Sequence, residues 1–228
     1  LCLQQVSAQA PEWSRLMQTT SYMAPVINCL GGNGDYTAYA GSFCGPLELE
    51  GMTMTSESLR DLFVGVNLSS GEKVWLKHFS STNGITPLVM KMDHSGNLFL
   101  FGTYSGTATL GEYTLTGDNS FMVSIDADGN IRWAVSFGTI NSGVCQIEVD
   151  DQGNSYLAAF TNKLLKFSSD GNIQWGIDFS QGTLQSLSVY GNRLYLGGIL
   201  PVGTTTIGPF IFTNSAKTGV ILKANLNG

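Results

Sequence analysis

GNIRWAVSF, residues 129–137, returns almost unchanged as GNIQWGIDF at 171–179 and as GEKVWLKHF at 71–79. Each copy reads Gly, three residues, Trp, then Phe four positions later. A further copy, PEWSRLM at 11–17, keeps Trp13 and puts Met17 in the place of the Phe. In a strand, residues four apart share one face. The Trp and Phe of each copy are therefore expected to enter the same apolar layer. A unit that recurs in this way cannot bury both of its faces alone and must stack on its neighbours.

After each Trp strand comes an apolar strand, a tight turn and a second apolar strand. The clear copies are LVMKMDHSGNLFLFGTY (88–104), CQIEVDDQGNSYLAAFT (145–161) and LQSLSVYGNRLYLGGIL (184–200). VINCLGGNGDYTAYAGSF (26–43) is a degenerate version. In the turns Asp93–Asn97 and Asp151–Asn154, Asp caps the turn and Gly takes the positive φ. Leu98-Phe99-Leu100-Phe101 is apolar on both faces, the mark of a strand covered on both sides.

A third element appears as LELEGMTMT (47–55), ATLGEYTLT (108–116) and TTIGPFIFT (205–213). Its Gly is expected to break the strand in a bulge or turn. The third repeat lacks it and passes from Phe160-Thr161 to Asn162-Lys163. The last element is FMVSIDADGNIRW (121–133), with LFVGVNLSSGEKVW (62–75), LLKFSSDGNIQW (164–175) and the truncated VILKANLNG (220–228). Trp13, Trp75, Trp133 and Trp175 are spaced by 62, 58 and 42 residues, and the short interval matches the missing element.

Four short strands per unit and almost no helix signal predict an all-β fold. The expected architecture is a β-propeller of about four Trp-containing, four-stranded repeats, approximately 13–74, 75–132, 133–174 and 175–228. The chain opens on a Trp strand and stops just before one. Either the Trp13 strand completes the last blade of a four-bladed ring, or the chain is an incomplete part of a larger propeller. The absent initiator Met favours the second.

The cycle of Asp-x-x-Gly-Asn, apolar strand with Gly-Thr, Gly-x-aromatic-x-apolar-Thr and Asp-x-x-Gly-x-x-x-Trp resembles the β-propeller repeats of secreted bacterial proteins (SBBP-type repeats). The match is best over 88–137, through Gly102-Thr103, Gly111-Glu112-Tyr113, Asn119-Ser120-Phe121 and Asp126 to Trp133. It covers about residues 13–228. The first repeat departs at its first turn and the third lacks its middle. The resemblance implies an exported or cell-surface protein, often a segment of a longer one. It carries no defined catalytic residues.

Composition narrows the function classes. The chain of 228 residues is 43% hydrophobic, enough for a real core, and only 12% charged. The net charge is −6 and the four Arg are scattered, which argues against nucleic-acid binding. No run approaches the length of a transmembrane helix. Residues 1–10, LCLQQVSAQA, read as the remnant of a secretory signal peptide. Pro11 disfavours cleavage after Ala10 and points to cleavage after Ala8. The expected location is secreted, periplasmic or cell surface. Cys2 would leave with the signal. Cys29 and Cys44 flank one hairpin whose turn near Gly32–Gly34 does not set them opposite each other, so a disulfide and two free thiols both stay open. Cys145 is a third thiol, and without a Cys-x-x-Cys there is no zinc or redox signal.

No catalytic, cofactor-binding or metal residue is assigned. Asp126-Ala127-Asp128-Gly129-Asn130 begins like a calcium loop, but Ile131-Arg132-Trp133 follows where more oxygen ligands are needed, so it reads as a hairpin turn. Ser168-Ser169-Asp170-Gly171 resembles an Asp-box turn, yet Asp and Gly adjoin instead of being separated, and no Arg cluster accompanies it. His78 sits in a Trp strand and His94 in an exposed turn; two His without Cys or paired carboxylates make no metal centre. Glu48 and Glu50 read as solvated strand charges. The repeated Trp, which also recurs in some quinone-dependent dehydrogenase propellers, reads as a blade-docking residue, and no cofactor is expected. Tyr36, Tyr39, Tyr104 and Tyr113 are candidate exposed aromatics for stacking on sugars.

The expected function is a non-enzymatic module that binds a protein or glycan ligand on a loop-lined propeller face. It is expected as a monomer or part of a longer chain. The alternatives are an extracellular polysaccharide-acting hydrolase or lyase on the same scaffold, and a spacer in a longer surface protein. Carboxylates, His and Arg converging from several blades on one loop face would favour the enzyme.

Overall fold

The computed structural model describes residues 14, 16–21, 23–138, 146–159 and 163–227. Residues 1–10, expected above to be a signal remnant, together with Trp13 and Cys145, lie outside the described residues. The described residues form 19 strands, and every strand pair is antiparallel. The first sheet is a meander of β1 (Val26–Gly32), β2 (Tyr36–Leu49), β3 (Met52–Leu68) and β4 (Lys73–Ser81). The second holds β5 (Gly84–Met92) and β6 (Leu98–Ser105), then β9 (Asn119–Ile125) and β10 (Ile131–Phe137). A hairpin, β7 (Thr107–Leu110) and β8 (Tyr113–Thr116), is inserted between β6 and β9.

The third sheet is β11 (Gln146–Val149), β12 (Ser155–Ala159), β13 (Lys163–Phe167) and β14 (Ile173–Asp178), with only residues 160–162, outside the described residues, between β12 and β13. The fourth holds β15 (Thr183–Tyr190), β16 (Arg193–Leu200) and β19 (Thr218–Asn225). The hairpin β17 (Gly203–Ile207) and β18 (Phe210–Asn214) stands between the last two of these.

Apolar layers between successive sheets hold this array together. Trp75, Phe79, Val64 and Val66 of the first sheet meet Leu98, Leu100, Phe121 and Val123 of the second. Phe99, Phe101, Met122 and Trp133 of the second meet Leu157, Leu165 and Phe167 of the third. Tyr156, Ala158 and Leu164 of the third meet Leu184, Leu187, Leu194 and Leu196 of the fourth. Leu98 to Phe101 therefore face cores on both sides, and all four are fully buried. The Trp and the Phe of one string do enter one layer, as Trp75 with Phe79 shows.

The Trp does more than fill space. Its indole reaches across to the turn that precedes the next sheet's last strand. Trp75 Nε1 donates to the Ala127 carbonyl at 2.9 Å, and Trp133 Nε1 to the Ser169 carbonyl at 2.9 Å. The ring packs closely against the turn glycine. A Cβ on Gly129 would stand 3.0 Å from Trp75, and one on Gly171 only 2.6 Å from Trp133. Both glycines also hold positive φ, +86° and +83°. Two constraints, backbone and close approach, thus fix the Gly in the Gly-x-x-x-Trp string. The residue before each docking Trp is skipped in the pairing register, at Val74, Arg132 and Gln174. Such a bulge re-aims a side chain, and nothing in the apolar pattern announces it.

The inserted hairpins strap neighbours together. Ser80 and Ser81, beyond Trp75, pair with Thr109 and Ala108 of β7. The Ser180 amide, beyond Trp175, donates to Thr206 of β17 at 3.0 Å. Gln18 exchanges backbone hydrogen bonds with Glu48 in the long β2–β3 hairpin at 3.1 and 2.8 Å. The expected turn glycines Gly51, Gly111 and Gly208 all have positive φ. That first hairpin packs Leu47, Leu49 and Met54 on Tyr39, Phe43 and Phe63 at the outer face of the first sheet, together with Met17.

The whole is a propeller-like succession of antiparallel sheets. The first strands β1, β5, β11 and β15 lie side by side in that order. Among the described residues no apolar layer joins the fourth sheet to the first, and they form no closed ring. Cys29 pairs opposite Ala40, and Cys29 and Cys44 are both free thiols. Burial pushes the Cys29 thiol up to about 12.

Candidate functional site

Because the first strands lie side by side, the turns that follow them gather at one end of the array. They enclose a cleft of about 660 Å³. Gly32 and Asn33 come from the first sheet, Asp93, His94 and Ser95 from the second, Asp150, Asp151 and Gln152 from the third, and Val189 and Gly191 from the fourth. Arg132 and Ser169 complete one wall, and Lys91 and Glu148 lie deeper on β5 and β11.

The carboxylates of this cleft fall into two kinds. Asp93 and Asp150 are committed to their own turns. Asp93 Oδ1 accepts the amides of Ser95 at 2.9 Å and Asn97 at 2.8 Å, and Oδ2 accepts Asn97 Nδ2 at 2.8 Å. Asp150 repeats this with Gln152 and Asn154, and its Oδ2 also accepts the Tyr156 hydroxyl at 2.9 Å. Burial, reinforced by that hydrogen bond and by the Asp150 charge, holds the Tyr156 phenol above its ordinary range. Asp126 makes the same turn with Asp128 and Asn130. Burial would raise its carboxyl, but the Asn130 and Asp128 donors and the Lys77 charge outweigh burial and lower it. The Asp126 oxygens accept donors of the turn itself.

The other groups remain available. His94, Ser95, Asp151 and Gln152 are exposed in the turns. Lys91 Nζ bridges to Glu148 at 3.1 Å and ties the second sheet to the third at the floor. Asn33 Nδ2 donates to the Asp93 carbonyl at 2.9 Å, and the Arg132 guanidinium to the Ser169 carbonyl at 3.4 Å, so the walls are cross-braced. Tyr190, between Val189 and Gly191, is 80% exposed.

A second polar cluster lies in the first sheet. Asp61 is only 2% exposed. Its Oδ2 stands 2.9 Å from His78 Nε2, and its Oδ1 accepts the Ser58 hydroxyl and the Ser81 amide, each at 2.9 Å. Burial would raise this carboxyl, but the bonds from His78, Ser81 and Ser58 outweigh burial and hold it below the ordinary value. Both serines bond to the Asp, so these four residues form an anchor between β3 and β4 centred on the buried Asp61. A nucleophile would require Ser on the far nitrogen of the imidazole.

Several sequence expectations change. Tyr39 and Tyr104 are buried, at 6% and 4% exposure, and are not free to stack on a sugar. The Tyr104 ring packs in the core, and its hydroxyl reaches out to bond with the exposed Ser136 at 2.7 Å. Tyr36 and Tyr113 are half-buried, and the Tyr113 hydroxyl donates to the Arg132 carbonyl at 3.2 Å. Glu48 is exposed, as a solvated charge should be. Glu50 instead sits at the hairpin turn, half-buried, with Oε1 accepting Asn67 Nδ2 at 2.9 Å. His94 is exposed as expected. Its convergence with Asp151, Arg132 and Glu148 escaped the sequence reading, since these residues belong to three separate elements. The signal that could have found it is phase: turns at the same point of each repeat must end on the same face.

No protein-family model and no curated protein matches the sequence. Among solved structures, the chain is similar to a protein of unknown function from Bacteroides caccae, at 13% identity and a TM-score of 0.46, over 89% of this chain and 62% of that one. It is similar to a mutant of the GH43 protein BlXynB from Bacillus licheniformis, at 12% identity and a TM-score of 0.41, over 81% of this chain and 41% of that one. It is also similar to BamB from Moraxella catarrhalis, at 13% identity and a TM-score of 0.31, over 73% and 68% of the two chains. The chain thus spans less than two thirds of the length of the first two. The resemblance to SBBP-type repeats rests on the repeat strings themselves.

Proposed function

We propose that the protein is an exported or cell-surface binding module of the secreted bacterial propeller-repeat kind, non-enzymatic, whose cleft at the meeting of the turns takes a glycan. The observation that carries this reading is the division of labour among the turn residues. Asp93 and Asp150 hold the turns rigid through their own hydrogen bonds. That leaves His94, Ser95, Asp151 and Gln152 as exposed polar groups on fixed supports. Concave, braced and polar is the combination that orients a polyhydroxyl ligand. The lining carries four carboxylates against Lys91 and Arg132, which disfavours an anionic ligand.

A second reading has its own observation. Asp151, His94, Arg132 and Glu148 converge from the second and third sheets, which is the pattern named above for a polysaccharide-acting enzyme. One experiment separates the two. Immobilised glycans are screened with the purified chain, and any hit is titrated with His94→Ala and Asp151→Ala. The binding reading expects retention of at least one glycan, about tenfold weaker binding in each variant, and no release of sugar on long incubation. A tenfold loss corresponds to about 1.4 kcal/mol, ordinary for one polar contact. Release of reducing sugar that Asp151→Asn abolishes would establish the enzyme reading instead. Unchanged affinity in both variants would remove the cleft from either role.

A further inference from the structure

The charges that line the cleft do not balance. Asp93, Glu148, Asp150 and Asp151 stand against Lys91 and Arg132, four negative charges against two positive. Both cations are already engaged. Lys91 Nζ lies 3.1 Å from Glu148, so these two cancel. The Arg132 guanidinium donates to the Ser124 hydroxyl at 3.3 Å and to the Ser169 carbonyl at 3.4 Å. No other lysine or arginine lines the cleft. The main-chain amides that hold Asp93 and Asp150 fix those carboxylates in place without removing their charge. Asp151 is exposed, and among the described residues its carboxylate has no hydrogen bond or ion pair.

Where the charge lies decides what it attracts. Asp93 stands in the turn of the second sheet, and Asp150 and Asp151 in that of the third. A bare metal cation needs several oxygens within one coordination sphere. Among the described residues no three carboxylate, thiol or imidazole groups come together in that way. The negative field is instead spread over a concave surface, whose low-dielectric walls focus it. Such a surface suits a ligand whose own positive charges are spaced apart, with hydroxyls between them. His94, Ser95 and Gln152 supply hydrogen-bonding groups in the same turns. An ammonium, with three donors and a compact charge, is the cation that a single free carboxylate accepts.

We propose that the glycan of this cleft is a polymer of amino sugars with free ammonium groups, such as glucosamine units, held with an ammonium on Asp151 and ring hydroxyls on Ser95 and Gln152. The proposal rests on the glycan reading above and narrows it. An N-acetylated unit brings no charge to Asp151, a neutral sugar gains only hydroxyl contacts, and a uronic acid brings the wrong sign. Protonation of His94 in mildly acidic buffer removes one unit of the negative excess and leaves the other, so the preference keeps its sign where the amines are charged.

The full chain is titrated by calorimetry, in mildly acidic buffer, with hexasaccharides of glucosamine, of N-acetylglucosamine and of β-1,4-linked glucose. The glucosamine oligomer is expected to bind about tenfold more tightly than the other two, with added salt narrowing the gap. Asp151→Asn should remove most of that gap. Glu112→Gln, which takes away an exposed carboxylate that does not line the cleft, should leave it intact. Equal affinity for all the oligomers would overturn this inference and leave the glycan reading standing. Binding of none of them would overturn both. A gap that Glu112→Gln lowers as much as Asp151→Asn would reflect attraction to the whole protein, whose net charge is −6, and would overturn the assignment to the cleft.

Discussion

At the scale of single residues, Asp61 shows how the fold uses a buried charge. Burial of a carboxylate is costly, and removing one partner of such a cluster costs more than the pair contributes. Here the donors from His78, Ser58 and Ser81 prevail and the carboxyl is held below its ordinary value. The sign of the linkage follows. A depressed folded value gives stability that is fully present above the unfolded value and is lost as pH falls through the folded one. Asp61→Asn is thus expected to melt below the parent at neutral pH, with the gap closing under acid conditions as the parent carboxylate is protonated. Thermal melts of both proteins across that range decide it, and a gap independent of pH would show that the ionised form contributes nothing. None of this was legible in the sequence. Asp61 and His78 lie in adjacent strands 17 residues apart, and only the β3–β4 register brings them together.

The elements were legible to different degrees, for physical reasons. Trp and Phe four apart fixed the strand face, and Asp-x-x-Gly-Asn fixed the turns, because both are local rules, but in the third sheet the capping residue is Asp150 and not the expected Asp151, which is exposed. The bulges at Val74, Arg132 and Gln174 were not, since a skipped residue leaves the apolar pattern intact. Tyr39 and Tyr104 were misread as surface aromatics because tyrosine suits an exposed strand and a buried one equally well. The third element was found by its Gly, but its role as a strap was not foreseen. That role can be tested through Leu110, which is fully buried although it sits in a two-stranded hairpin. Leu110→Ala is expected to destabilise the protein by about 2–5 kcal/mol, as for a leucine in a packed core. A denaturant titration giving less than about 0.5 kcal/mol, the range of surface substitutions, would mean that β7–β8 is a loose appendage.

At the scale of the whole molecule, the account reduces to one repeated joint. A Trp at the end of one sheet lies on a Gly in the turn of the next, and this joint, made at Gly129 and again at Gly171, lines up the sheets and gathers their turns around a single cleft. The succession of antiparallel sheets could be read from the Trp strings at 75, 133 and 175; the cleft could not, because it exists only once the sheets are stacked. The most direct test is a double-mutant cycle across the joint between the second and third sheets. Gly171→Ala brings a positive-φ alanine and a Cβ 2.6 Å from Trp133. Gly153→Ala brings only the positive φ, with 3.6 Å to its nearest neighbour, Ser169. Gly171→Ala should therefore cost clearly more than Gly153→Ala, and much of the excess should vanish in a Trp133→Leu background. The Trp133/Gly171 pair is expected to couple by more than about 0.5 kcal/mol while the Trp133/Gly153 pair adds independently. Equal costs for the two glycines, with additivity in both cycles, would contradict the joint and the stacking built on it.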